Sequence, residues 1–286
     1  MDRNLAQRIG FAAAAIPLAL FVVWYGGWVL VALVMATSVL GTRELYGLAR
    51  SGGTAALAGV GLLGAAAVPP LVYLVLGTPD GIVARAWPYA AAVWLIATMV
   101  VALARRSPGE RPLDAVAVTV FGAGYAGALP AFLLALRHEH HGLRSWAGTW
   151  LVFFPLVVTW IVDTAAMAGG RAFGGAKLAP RISPGKTRAG AIAGVVGGLA
   201  VAVVFALAVF PAVGVAAGLF VLLLIAFVLS IVGQVGDLAE SLFKRGAGVK
   251  DSSGLIPGHG GVLDRLDSLY FVIPVAALLY RAFGVG

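Results

Sequence analysis

The sequence predicts an all-α fold, a polytopic helical bundle that crosses a membrane about nine times with its N-terminus in the cytoplasm. Three observations predict it. Of 286 residues, 61% are hydrophobic and 11% charged, whereas a soluble domain carries about a quarter charged residues. The apolar residues gather in long runs, most of them sufficient to cross ~30 Å of hydrocarbon as helices. The basic residues concentrate in alternate connections between those runs, the asymmetry that orients a chain in a membrane.

Nine runs are expected, over residues 9–24, 28–42, 55–77, 87–104, 115–136, 147–169, 189–210, 213–235 and 268–284. Arg3 and Arg8 ahead of the first run resemble a signal peptide. No small-residue cleavage site stands out and eight runs follow, so it reads as a retained span. The first, second and last runs are short, and the first two could pair as a re-entrant hairpin. With the N-terminus inside, the outer connections hold Arg85, Arg137, Arg144 and Arg281, and the other sixteen of the 20 Lys and Arg lie inside. That distribution explains the net charge of +8 without a nucleic-acid partner. The chain has no cysteine, which excludes disulfides, thiol catalysis and cysteine-bound zinc.

Residues 1–150 read as a scaffold of membrane helices with little chemistry. The cluster "RHEHHG" at 137–142 matches no settled metal-ligand spacing and reads as a solvated outer loop. Residues 151–286 read as the catalytic region, with two charged loops, 170–188 and 236–267, on the same cytoplasmic face.

The first of these, "GGRAFGGAKLAPRISPGKTRAG", holds five cations and no acid. Its "PGKT" resembles the end of a phosphate-binding P-loop, but Pro180 stands where that motif needs glycine. Ser183, Lys186 and Thr187 nonetheless sit just before a helix start, where backbone N–H groups favour an anion. An anchor for anionic lipid headgroups is the alternative reading. In the second loop Asp237, Glu240, Ser241 and Lys244 share one face if the helix continues out of the membrane. Asp264 and Asp267 are similarly spaced, with "GLIPGHGG" between the two acidic groups. Carboxylates at both ends, with cations and glycines between, suit Mg²⁺ and phosphate. Asp163, toward the cytoplasmic end of the sixth run, must face the bundle or a wet cavity. It either pairs with a partner such as Arg171 or forms a wall of the same site.

The stretch Ser241–Asp267 resembles the signature of the phosphatidate cytidylyltransferases, also called CDP-diacylglycerol synthases. The matching residues are Ser241, Phe243, Lys244, Arg245, Lys250, Asp251, Ser253, Ile256, Pro257, His259, Gly260, Gly261, Asp264, Arg265 and Asp267. Gly236-Asp237, Glu240-Ser241 and "ISPGKT" at 182–187 also resemble that family. One departure is Arg188-Ala189-Gly190, where the family commonly has Trp-Glu-Gly after the Lys-Thr, so no acid is available there.

The resemblance implies that CTP and phosphatidate give CDP-diacylglycerol and pyrophosphate, a step of phospholipid biosynthesis. Mg²⁺ is implied as cofactor, and a second or monovalent cation is compatible with it. It implies CTP, phosphatidic acid and membrane lipids as partners, a homodimer being allowed, and an inner-membrane enzyme whose site faces the cytoplasm. By the same resemblance, Asp237, Asp264, Lys244 and Arg265 are catalytic, and Asp237, Asp264, Asp267 and Asp163 hold metal. Ser183, Lys186, Thr187, Ser241, Arg245, Lys250, His259, Gly260 and Gly261 bind substrate. The alternatives are another CTP-dependent lipid enzyme, of CDP-archaeol synthase or polyprenol kinase type, and a transporter of anionic solutes. A transporter would carry charge at the bilayer midplane and paired broken helices, while here the charge collects in loops.

Overall fold

The computed structural model describes residues 17–256 and 260–286. Among them, seven helices of 20 to 28 residues are long and apolar enough to cross a membrane. The chain is a polytopic helical membrane protein. The first expected span lies mostly outside the described residues, and its remainder, 17–25 (α1), is helical. The seven long helices correspond to expected spans two to eight.

The chain divides into two compact units. The first comprises residues 1–145 and 247–265. It contains α2 (Gly27–Ser51), α3 (Ala58–Gly77), α4 (Ile82–Arg105) and α5 (Pro112–His138). Helix α2 is not the short run the apolar pattern suggested. It continues for two further turns through Arg43, Glu44 and Arg50, so it does not need a partner to span as a hairpin. Its buried residues recur every three or four positions, including Leu30, Val34, Ser38, Gly41, Leu45 and Leu48, which places one stripe against the neighbouring helices. Three hydroxyls along that stripe donate to carbonyls of α5: Ser38 to Gly127 (3.0 Å), Thr42 to Gly122 (3.3 Å) and Tyr46 to Thr119 (2.7 Å). Here α5 widens into a π-helical turn over Ala123–Ala128. Such a turn disturbs the regular backbone ladder, and in lipid its carbonyls need partners from within the protein.

The "RHEHHG" cluster is not the solvated loop expected. Arg137 is fully buried. Its guanidinium donates to the carbonyls of Val23 (2.7 Å), Trp24 (2.8 Å) and Gly142 (2.9 Å). Two of these belong to the last turn of α1, whose carbonyls have no helical partner. His138 Nε2 accepts from the Gly27 amide at 2.9 Å, and its Nδ1 lies 3.2 Å from the His141 carbonyl. Together the two side chains tie the α1–α2 junction to the end of α5.

The second unit comprises residues 146–246 and 266–286. It contains α6 (Trp146–Phe173), β1 (Lys177–Ala179), β2 (Ser183–Thr187), α7 (Arg188–Ala212) and α8 (Leu219–Gly246). A short α9 (Val262–Leu266) ends at the boundary of the units, and α10 (Leu269–Phe283) closes the second. At 15 residues α10 is shorter than the seven long helices. The antiparallel pair β1–β2 qualifies the all-α expectation. Helices α6 and α7 pack closely through small residues. A Cβ on Gly190 would lie 2.5 Å from the Ala166 carbonyl oxygen, and one on Gly197 would lie 2.8 Å from the Ala165 Cβ, the close approach typical of helices packed in lipid. Farther along, Phe154, Phe205 and Phe210 form a cluster of tilted and edge-to-face rings.

Candidate functional site

In the second unit the C-terminal end of α6, the β1–β2 hairpin, the start of α7 and the last third of α8 surround one cavity of about 500 Å³. Asp163 and Arg171 line it from α6, Lys177 and Lys186 from the hairpin, and Gln234 and Asp237 from α8. Each element has a local reason to be there. Thr187 is buried, and its hydroxyl accepts from the Gly190 amide at 3.0 Å, capping the first turn of α7. Gln234 Nε2 donates to the carbonyl of Ser230 (3.0 Å) on its own helix and to that of Ala191 (3.4 Å) on α7. Helix α8 runs unbroken to Gly246, so residues 236–246 of the expected charged loop are helical.

Along that helix the expected face forms. Asp237 Oδ1 accepts from the Ser241 hydroxyl at 3.3 Å, and Lys244 Nζ donates to Glu240 Oε1 at 3.0 Å. Glu240 is fully buried. Lys186 reaches across from β2 to form an ion pair with Asp237 Oδ2. Arg245 Nε donates to the Ile182 carbonyl at 3.3 Å. Within this unit, then, the "PGKT" hairpin and the end of α8 meet, and Ser183 sits at the start of the same strand. Asp267 accepts from the Ser268 amide at 2.6 Å. Burial, together with the charge of Asp237, pushes its carboxyl up to about 6, against the opposing pull of the Ser268 amide, Lys244 and Lys186.

In the first unit the signature residues build a different arrangement. Asp264 is buried, and its Oδ2 accepts from the amides of Ser252 and Gly261 and lies near the Ser252 hydroxyl, all at 2.8 Å. Gly260 has φ +77°, and a Cβ there would lie 2.7 Å from Asp264 Oδ2, so the residue must be glycine. Lys250 and Arg265 are exposed. His259 lies outside the described residues.

Sequence reasoning missed Glu44, on the extension of α2. It is 7% exposed. Oε1 accepts from the Ser253 hydroxyl (2.6 Å) and the Val262 amide (3.1 Å), and Oε2 from the Leu263 amide (2.8 Å). The Ser252 hydroxyl lies 3.1 Å from Oε2. Gly261 passes so close that a Cβ there would collide with Glu44 and Ser252. A signal was present, since Glu44 stands three residues after Gly41 and four before Leu48, on the buried stripe.

A profile of the Cytidylyltransferase family matches residues 6–283. The chain belongs to that family. Among curated relatives, the phosphatidate cytidylyltransferase of Haemophilus influenzae is 37% identical over 150 residues, 52% of each chain. That of Pseudomonas aeruginosa is 54% identical over 145 residues, 50% of this chain and 52% of the relative. That of Brucella suis is 44% identical over 159 residues, 56% of this chain and 54% of the relative. The chain thus spans about half the length of the curated relatives it matches. Among the described residues no group of three or more His, Asp or Glu could alone hold a metal ion.

Proposed function

We propose that this cytidylyltransferase-family protein joins CTP to phosphatidate, releasing pyrophosphate and forming CDP-diacylglycerol. The observation that carries this reading is the cavity of the second unit, where cations and carboxylates line one hollow at the end of long apolar helices. Such a hollow suits a reactant with a charged head and greasy tails. The phosphatidate oxygen would attack the α-phosphorus of CTP as the bond from that phosphorus to the β-phosphate oxygen breaks. The nucleophile is already anionic at neutral pH, so strong general-base help is not demanded. The difficulty is to bring two anions together.

Lys186 and Lys177 at the cavity, with Lys244 and Arg245 on α8, are proposed to hold phosphate oxygens, as are Lys250 and Arg265 in the first unit. Ser183, Thr187 and Ser241 are proposed as hydroxyl contacts, and Gly260, Gly261 and His259 as backbone or ring contacts. Metal-ligand roles are proposed for Asp163, Asp237 and Asp267 in the second unit and for Asp264 in the first, all hard oxygen donors of the kind Mg²⁺ prefers. When bound, the ion supplies neutralisation of charge on the phosphates and the leaving group. Lys186 pairs with Asp237, and its ammonium is free to turn toward phosphate once that carboxylate is engaged as a ligand.

The orientation proposed is nine crossings with the N-terminus and both charged loops in the cytoplasm of a bacterial inner membrane, supported by the asymmetry of Lys and Arg. Whether the protein also pairs as a homodimer is a separate proposal, read out by its mass in detergent. The function is tested with purified protein, labelled CTP, phosphatidate and Mg²⁺. A labelled liponucleotide is expected, and none should form with EDTA or with a polyprenol in place of phosphatidate. Absence of product under conditions where a related synthase is active overturns the reading.

A further inference from the structure

We propose that Glu44 is a positioning residue that clasps both arms of the 252–263 segment, and so fixes the stretch carrying Lys250, Asp264 and Arg265. The inference rests on the cytidylyltransferase reading for its effect on turnover, and on the first unit's geometry alone for the clasp. A carboxylate has about four lone-pair directions. In Glu44 three take the Ser253 hydroxyl and the amides of Val262 and Leu263, and the fourth faces the Ser252 hydroxyl. None is left for an ion or a substrate, so the residue acts through the loop rather than on the reacting atoms.

The contacts also bridge the segment. Ser252 and Ser253 come from one arm, and Val262 and Leu263 from the other. The single proton of the Ser252 hydroxyl lies between Glu44 Oε2 at 3.1 Å and Asp264 Oδ2 at 2.8 Å. Glu44 and Asp264 are therefore coupled through one hydroxyl, and moving the first carboxylate moves the partners of the second. Hydrogen bonds to an ionised acceptor are stronger than neutral ones, and Glu44 sits on a 25-residue helix, a rigid base for a loop.

Replacement by glutamine is diagnostic. The side chain keeps its size, but in either orientation its NH₂ group faces a backbone N–H, of Val262 or of Leu263, and two donors repel. The test uses a nitroxide on Leu255→Cys, an exposed position in a chain with no other cysteine. Glu44→Gln is expected to narrow the nitroxide spectrum and lower kcat for liponucleotide formation at least tenfold, in protein that remains folded in detergent. Ser253→Ala, which removes one of the four contacts and also the acceptor of the Leu255 amide, is expected to lie between, with about a threefold loss of kcat, and its kcat serves if Glu44→Gln does not fold. An unchanged spectrum in either variant overturns the clasp. A narrowed spectrum with wild-type kcat overturns the positioning role. If the labelled parent itself makes no product, the activity reading fails, while the spectra still decide whether Glu44 holds the loop.

Discussion

Asp237 and Asp264 are both carboxylates on helices, yet their surroundings give them different work. Asp237 is part exposed and faces Lys186. An ion pair so open to water is worth under ~1 kcal/mol, so it is a poor reason to place a carboxylate there. Asp237→Asn should leave the melting temperature nearly unchanged and lower CTP turnover by about a hundredfold or more, which paired melting and activity assays would measure. Asp264 is buried among amide donors. In Asp264→Asn the side-chain carbonyl oxygen can still accept from both amides, whereas Asp264→Ala leaves them without a partner at a cost of roughly 1–3 kcal/mol. The asparagine variant should therefore fold and lose activity, and the alanine variant should lose both; equal melting temperatures for the two would show that the loop does not depend on this acceptor. The asymmetry was not legible in the sequence, where the acids appear as equivalent members of one signature. Glu44 was hidden for a related reason. Its four contacts come from residues more than two hundred positions away, and no local pattern announces such a meeting.

The long helices were legible as apolar runs because hydrocarbon demands that every backbone group be satisfied within the segment. Their ends were less so. Helices α2 and α8 outlast their apolar stretches, carrying Glu44 and Lys244 on turns that hydropathy assigns to loops. The β1–β2 hairpin was missed because five residues containing Pro184 and Gly185 carry no strand signal, and their pairing depends on the three residues opposite. Two predictions belong to this scale. Gly190→Val should push α7 from α6 and lower stability by about 1–3 kcal/mol, while Gly185→Ala, with open space around it, should be neutral; detergent melts would separate them. Arg137→Met should leave the carbonyls of Val23, Trp24 and Gly142 without their donor. A loss of roughly 1–3 kcal/mol is expected from leaving buried carbonyls unsatisfied, and mild-denaturant unfolding would measure it.

For the whole molecule, the sparse charge confined to a few connections made the membrane readable from composition, and the same asymmetry is the basis of the proposed orientation. A cysteine introduced by Pro180→Cys should react with an impermeant thiol reagent only in inverted vesicles; labelling in intact cells would reverse the proposed orientation. Under the proposed function, helix α8 would give the bilayer itself a part in the chemistry. One unbroken rod carries both a stretch of leucine, isoleucine and valine and the Asp237 carboxylate. A thinner membrane tilts such a rod, and a thicker one draws it upright. Acyl-chain length would then set the depth of the carboxylate, and, if the proposed activity holds, synthesis of a lipid would be tuned by the lipids already made.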